Sequence, residues 1–226
     1  MHRAASLATL VVSGSMIACL AAPPSSTLGI ERIRGNLFVL TENGGNTAVF
    51  IRADGVVVVD TKLATNGQRI LEQVRTVTDK PITHILNTHT HADHVGSNAF
   101  FPEDVVIVAH DNTAARMARM SGFSDPATRH GLPDRTFTDR MTLFSGDDAI
   151  DLYYFGAAHT DGDAFIVFRA QRVMHSGDTF PGMYVTDDGG RRDAYAKTLM
   201  GAANRGRYGD PWSRRGHDMA GFCRLC

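Results

Sequence analysis

Four side chains able to hold a metal ion, His89, His91, Asp93 and His94, fall within the six residues from His89 to His94, directly after an apolar run. On a continuing strand alternate residues point to opposite faces, so these four could not meet. A tight loop at the end of a strand can fan them into one volume. Imidazole and carboxylate together suit zinc, with manganese or iron as substitutes, and the lack of cysteine in the body of the chain argues against a thiolate structural site. So short a loop cannot wrap all four donors around one ion, and further ligands must come from elsewhere. His159, in Gly156-Ala157-Ala158-His159-Thr160-Asp161-Gly162-Asp163, and Asp178, in His175-Ser176-Gly177-Asp178-Thr179, each follow an apolar run in the same way.

A divalent ion in such a site lowers the pKa of a bound water towards neutrality, so that hydroxide is available as a nucleophile at ordinary pH. One ion can polarise a scissile carbonyl. Asp93 is the expected catalytic residue, both ligating and orienting the water and passing a proton to the leaving group. Asp60, at the end of the run 56–59, is a candidate for fixing a histidine tautomer, although a strand-ending turn explains it nearly as well.

Other groups invite blander readings. His84, His110 and His175 lie in or beside apolar runs and are expected to be packed or hydrogen-bonded. Met117 and Met120 read as core filling. Asp187-Asp188-Gly189-Gly190 lacks the ligand run of a calcium loop and reads as a turn. Cys223 and Cys226 form an isolated C-x-x-C with neither a second pair nor a strand-to-helix context.

The elements that must position the donors are legible in outline. Short apolar segments at 30–33, 37–40, 47–51 and 56–59, separated by Gly35-Asn36, Gly44-Gly45-Asn46 and Asp54-Gly55, predict an antiparallel meander. Ile70, Leu71, Val74 and Val77 recur at helical spacing before Pro81, and a strand at 82–86 leads into the histidine motif. A strand at 105–109 and a helix at 113–120, capped by Asp111 or Asn112, precede a turn-rich linker at 121–139. Strands at 141–144, 149–155, 164–168 and 172–175 follow, then a helix at 193–203 with Tyr195, Leu199 and Ala202 on one face. Each half is strands followed by helix. Stacking the halves gives an α/β fold, a four-layer αββα sandwich of two mixed sheets flanked by helices, because each sheet must bury one face on its partner and the other under helices.

The sequence H-x-H-x-D-H, then A-H-T, then S-G-D-T, resembles the metallo-β-lactamase superfamily of hydrolases, over roughly residues 30–178. The resemblance implies a dinuclear site in the cleft between the sheets. His89, His91 and His159 would bind one ion, Asp93 and His94 the other, and Asp178 would bridge both. An aspartate bridge, where some of the true lactamases have cysteine, is more similar to the glyoxalase II-like branch. The family pattern also supplies a late histidine from a P-G-H-G-like turn after a buried strand. Here Gly216-His217-Asp218 keeps the Gly-His pair, but the preceding residues carry Arg205, Arg207, Arg214 and Arg215 and do not read as a core strand. The expectation is a domain at 29–204 and an atypical Arg-rich tail at 205–226, the product of a truncation or frameshift near Ala203 that weakens the second ion's site.

Composition narrows the setting. With 226 residues, 43% of them hydrophobic, the chain can fill one core, and a net charge of −1 offers no basic footprint for nucleic acid. A positive start, an apolar run at 7–20 broken by Ser13-Gly14-Ser15, and small residues before Pro23-Pro24 read as a signal peptide at 1–22 and export to the periplasm or medium. The run falls short of a stable membrane span. Cys19 after Met16-Ile17-Ala18 weakly resembles a lipoprotein cleavage box. The reading is thus a zinc-dependent hydrolase cleaving an ester, thioester or amide of a small molecule. Its rivals are a catalytically impaired metal-binding protein of the same fold, an exported β-lactamase, and an iron-loaded redox relative.

Overall fold

The four apolar segments at the start fold into the expected meander, β1 (Ile30–Arg34), β2 (Leu37–Leu40), β3 (Thr47–Ile51) and β4 (Val56–Val59), antiparallel throughout. The structure is a computed structural model and describes residues 28–41, 44–180, 186–205 and 222–224. The proposed leader with Cys19, the turn containing His217, Cys226 and most of the Arg-rich segment lie outside the described residues. Among the described residues no helix is long and apolar enough to cross a membrane.

After β4 the sheet changes direction, because helices now carry the chain back between strands. Helix α1 (Gly67–Arg75) buries Ile70 and Val74, and β5 (Ile82–Leu86) pairs parallel with β4. The short helix α2 (Ala92–Val95) follows the histidine motif's first half, and β6 (Val106–His110) and β7 (Arg135–Phe137) extend the parallel part to complete seven strands. β7 lies inside what reads in sequence as a linker. Of its three residues Phe137 is buried and the other two are exposed, so there was too little alternation to see. Between β6 and β7, helix α3 (Asp111–Met117) is capped by His110, whose Nδ1 accepts from the Asn112 amide at 3.2 Å. This corrects the expected Asp111 or Asn112 cap, and histidine is not a residue from which a cap is read.

The second sheet runs β8 (Arg140–Leu143), β9 (Ile150–Tyr154), β10 (Ala164–Phe168) and β11 (Val173–His175), with helix α4 (Arg192–Arg205) after it. A further strand, β12 (Phe222–Arg224), pairs with β11 in the segment read from the sequence as an atypical tail. All pairings in this sheet are antiparallel, whereas the first sheet is mixed.

The alternation of each strand explains the layers. Leu37, Val39, Phe50, Val57 and Val59 of the first sheet meet Leu152, Ile166, Phe168 and Val173 of the second in one buried cluster, with the Phe50 and Phe168 rings 5.2 Å apart. Each such side chain contributes about 1.5–3 kcal/mol by leaving water. The opposite face of the first sheet packs Val49, Val58 and Ile85 on Ile70 and Val74 of α1. Beyond the second sheet lie Tyr153, Phe165 and Met174, where Thr198 of α4 bonds to the Ala157 carbonyl at 3.0 Å. The order is helix, sheet, sheet, helix.

Topology brings the chemistry to one edge. β4 and β5 are parallel, so Asp60 and the motif from Thr88 to His94 leave the sheet on the same side. β9 and β11 both run against β10, so the loops carrying His159 and Asp178 also leave together. The Ala164 amide donates to the Thr88 carbonyl at 2.7 Å and ties the two edges to each other.

Candidate metal centre

His89 lies in the bend that follows the end of β5, and His91 stands just before α2 with φ −66° and ψ 147°. The first turn of α2 then carries Asp93 and His94. Strand end, loop and helical turn together aim the side chains in directions that a strand alone could not. Their donor atoms form two overlapping groups, His89 with His91 and His159, and His89 with His94 and Asp178, each within 4.8 Å. His89 Nε2 lies 3.0 Å and His159 Nε2 3.1 Å from His91 Nδ1. Asp178 faces both groups, with Oδ1 3.3 Å from His94 Nε2 and Oδ2 3.8 Å from His159 Nε2. Asp93 stands apart, 38% exposed, with Oδ2 3.8 Å from His94 Nε2, and belongs to neither group.

The hydrogen bonds around the cluster settle which nitrogens face inward bare. Asp60, fully buried, accepts from the Thr88 amide at 2.8 Å and from Thr88 Oγ1 at 2.7 Å. Having given its one proton to the carboxylate, Thr88 Oγ1 can only accept at His89 Nδ1, 3.1 Å away. His89 therefore carries its proton on Nδ1 and turns a lone pair inward from Nε2. Asp60 Oδ2 also lies 2.7 Å from His94 Nδ1 and holds that proton outward in the same way. His91 has Nε2 3.1 Å from Asp188 Oδ2, which draws the ring proton to Nε2 and leaves Nδ1 bare towards His89. Two lone pairs meeting at 3.0 Å repel unless a cation lies between them.

Burial reinforces this. It pushes the His89 imidazole well below its usual range, and the neighbouring His94, His91 and His159 push it further, so His89 is neutral and able to ligate. Burial would lower His94 too, but the charge of Asp60, the hydrogen bonds and the charge of Asp178 overcome it and hold the ring up at about 10. His94 Nε2 is nevertheless buried without a hydrogen-bond partner, its contact with Asp178 being close but not aligned. The carboxylates demand positive charge at that nitrogen, and a divalent ion answers the demand as a proton does. Nitrogen and carboxylate donors with no thiolate fit zinc, manganese or iron.

Neighbouring loops hold the cluster in place. His175 donates from Nε2 to the Asn46 carbonyl at 3.1 Å and accepts at Nδ1 from the Gly177 amide at 3.0 Å, so it ties the Asp178 turn to the loop at 44–46. His110 bonds to the Thr138 carbonyl at 2.8 Å, and His84 packs its edge on Phe144. Lys62, fully buried and at φ +59°, donates to the Gly45 carbonyl at 2.6 Å. Asp60 itself sits at φ +62°, and left-handed backbone at a residue other than glycine costs about 1–3 kcal/mol, a cost that clusters at functional sites. Gly45 lies flat on the His94 ring: a Cβ there would stand 2.2 Å from Cε1 and 2.3 Å from Nε2. His94 cannot step aside, since Asp60 grips its ring and the Thr61 amide bonds its carbonyl at 2.6 Å. Gly45→Ala is therefore expected to destabilise the chain by about 1–3 kcal/mol and to weaken any divalent-cation binding at His94 at least about tenfold. Thermal denaturation and calorimetric titration would measure the two effects.

Sequence reasoning named the cluster and Asp60 but missed Thr88, Lys62 and Asp188. Thr88 could have been found, since it precedes the first histidine. For Lys62 and Asp188 no local signal existed. A cavity of about 330 Å³ opens beside His91, lined by Ala92, Arg116, Arg119, Met120 and Asp188 among others.

The family model of the metallo-beta-lactamase superfamily matches residues 40–215. The chain is 32% identical over 164 residues to the 2,4-dinitroanisole O-demethylase subunit alpha of Nocardioides sp. (strain JS1661), an alignment covering 69% of this chain and 47% of that protein. It is 24% identical over 181 residues to a metallo-beta-lactamase type 2 of Bacillus sp. (strain 170), covering 76% of this chain and 67% of the other. Among solved structures it is similar to a metallo-beta-lactamase from Pontibacter korlensis, with a TM-score of 0.69, 18% identity, and coverage of 86% of this chain and 93% of the other. At that identity the likeness concerns the fold.

Proposed function

The chain belongs to the metallo-beta-lactamase superfamily of hydrolases, and on that premise we propose that it is a zinc-dependent hydrolase of a small-molecule ester, thioester or amide. The observation that carries the reading is the convergence of His89 Nε2, His91 Nδ1 and His159 Nε2, flanked by a carboxylate, Asp178, that spans to His94. In this reading His89, His91 and His159 hold one ion, His94 and Asp178 hold a second, and Asp178 reaches both. The aspartate in that spanning place supports the glyoxalase II-like branch. The order of charged, apolar and small residues over 1–22 supports export.

When bound, such ions polarise an acyl oxygen and make water a nucleophile near neutral pH. The chain's own groups do the rest. Thr88 keeps the inward nitrogen of His89 free of a proton, Asp60 holds a proton of His94 on the outward Nδ1, the buried walls exclude solvent from the imidazoles, and Asp93 at the rim can take a proton and return it to a leaving group. The cavity beside His91 has room for a small ligand.

A second bond type has its own support: the 32% identical relative is named as a 2,4-dinitroanisole O-demethylase subunit, which brings an aryl methyl ether into the test. Purified protein loaded with zinc or manganese should turn over at least one of p-nitrophenyl acetate, lactoylglutathione, nitrocefin and 2,4-dinitroanisole. A chelator or His91→Ala should remove at least about 99% of the rate, given what ligand loss does to such sites. Stoichiometric metal uptake with no turnover of any of them would favour the impaired metal-binding protein instead.

A further inference from the structure

The turn at 186–191, which the sequence reads as a plain turn, reaches the metal cluster from outside. Asp188 Oδ2 lies 3.1 Å from His91 Nε2. His91 is the imidazole that needs such a partner: its side chain is 22% exposed, whereas those of His94 and His159 are at most 1% exposed. Packing alone does not choose its ring orientation. A half-turn of the ring would replace Nδ1 by a carbon and remove the nitrogen that faces both His89 and His159.

Asp188 is itself held. Arg116 Nη1 donates to its Oδ1 at 3.3 Å, and the same guanidinium donates from Nε and Nη2 to the two oxygens of Asp161, each at 2.7 Å. The turn is zipped to the loop that carries His159. The Thr186 amide and hydroxyl both donate to the His159 carbonyl at 3.0 Å, the Arg191 amide bonds the Ala158 carbonyl at 3.0 Å, and the Asp161 amide bonds the Asp188 carbonyl at 3.0 Å. At Gly189, φ +78°, a Cβ would fall 2.5 Å from Asp161 Oδ2, so the approach of Asp188 depends on glycine next to it.

We propose that Asp188, buttressed by Arg116 and Asp161, is a positioning residue that selects the ring orientation and tautomer of His91 and so sets the affinity of the three-histidine site. The proposal rests on the metal-binding reading above, and its two measurements separate the failure of one from the failure of the other. The first is calorimetric titration of the full chain with zinc alone. Asp188→Ala should weaken the tighter site about 10- to 100-fold, the range seen when the outer partner of a ligating histidine is lost, and leave the other site within about twofold. Asp188→Asn keeps an oxygen that accepts from Nε2 and should restore most of the affinity. Unchanged affinity in Asp188→Ala, or equal weakening of both sites by both variants, would overturn the proposal. The second measurement needs no metal. Nitrogen chemical shifts of metal-free protein should show His91 protonated on Nε2 in the wild type and mixed between the two tautomers in Asp188→Ala. The same population in both also overturns it. Should the wild type take up no zinc, the metal reading falls, while the tautomer comparison still decides the role of Asp188.

Discussion

Asp60→Asn is expected to leave the chain folded while weakening cation binding at the His94 side about 100-fold and lowering kcat/KM by a similar factor. The substitution changes no shape. It changes which atoms can accept. In the wild type one carboxylate oxygen accepts from the Thr88 amide, and the other accepts from both Thr88 Oγ1 and His94 Nδ1. An asparagine offers oxygen on one side and NH2 on the other. With its oxygen towards the Thr88 amide, the NH2 donates to Thr88 Oγ1 and to His94 Nδ1. Thr88 then sends its own proton to His89 Nδ1, and both histidines must carry their protons on Nε2, the nitrogen that faces the cluster. One amide thereby blocks two donors. The opposite rotamer sets NH2 against the Thr88 N–H, a buried clash of donors costing about 1–3 kcal/mol. Zinc titration and histidine nitrogen shifts would measure the effect, with circular dichroism as the control for folding. Wild-type affinity in Asp60→Asn would mean that the tautomers are set by something other than this carboxylate.

The same network shows what could be read from the chain and what could not. His89, His91 and His94 were legible because their spacing is local, and a strand end followed by a loop is itself a local signal; Asp93, expected as a ligand from the same stretch, stands outside both donor groups. His159 and Asp178 were legible because each repeats that signal, and topology, with β9 and β11 running the same way, does the rest. Asp60 could be suggested from its place after a buried strand but not decided, since a turn ends a strand equally well. Asp188 was beyond reach. Its partner His91 is distant in sequence, its neighbours are those of any acidic turn, and its meaning depends on Arg116 of α3 holding it in place. β7 and β12 were missed for a different reason: each has three residues, too few for a period, and neither Arg-Thr-Phe nor Phe-Cys-Arg shows the apolar pair Val173-Met174 that marks the equally short β11. Lys62 would have been placed at the surface by its type, yet it is fully buried under the glycine loop it supports.

Asp93→Asn should lower kcat by about 10²- to 10⁴-fold and leave metal content and KM within about twofold, the profile of a lost proton carrier. The geometry separates Asp93 from the donors on either side of it in sequence. Its carboxylate is 38% exposed while the His94 side chain is 1% exposed, and its nearer oxygen stays 3.8 Å from His94 Nε2, outside both donor groups. The first turn of α2 fixes that difference, sending residue 94 inward against Asp60 and residue 93 to the rim, where Gly44 backs its Cβ. A group so placed meets solvent while remaining close to the cluster, the place from which a proton can be handed to a bound substrate. Asparagine preserves the volume and one acceptor oxygen, so a purely structural or positioning role would survive the change with a modest loss. It cannot take up a proton and hand it on. The comparison of rate with metal content therefore discriminates: a fall in kcat at full zinc occupancy assigns proton transfer to Asp93, whereas a fall that tracks lost zinc would make it a ligand first and would move the proton-carrying role to another group at the rim.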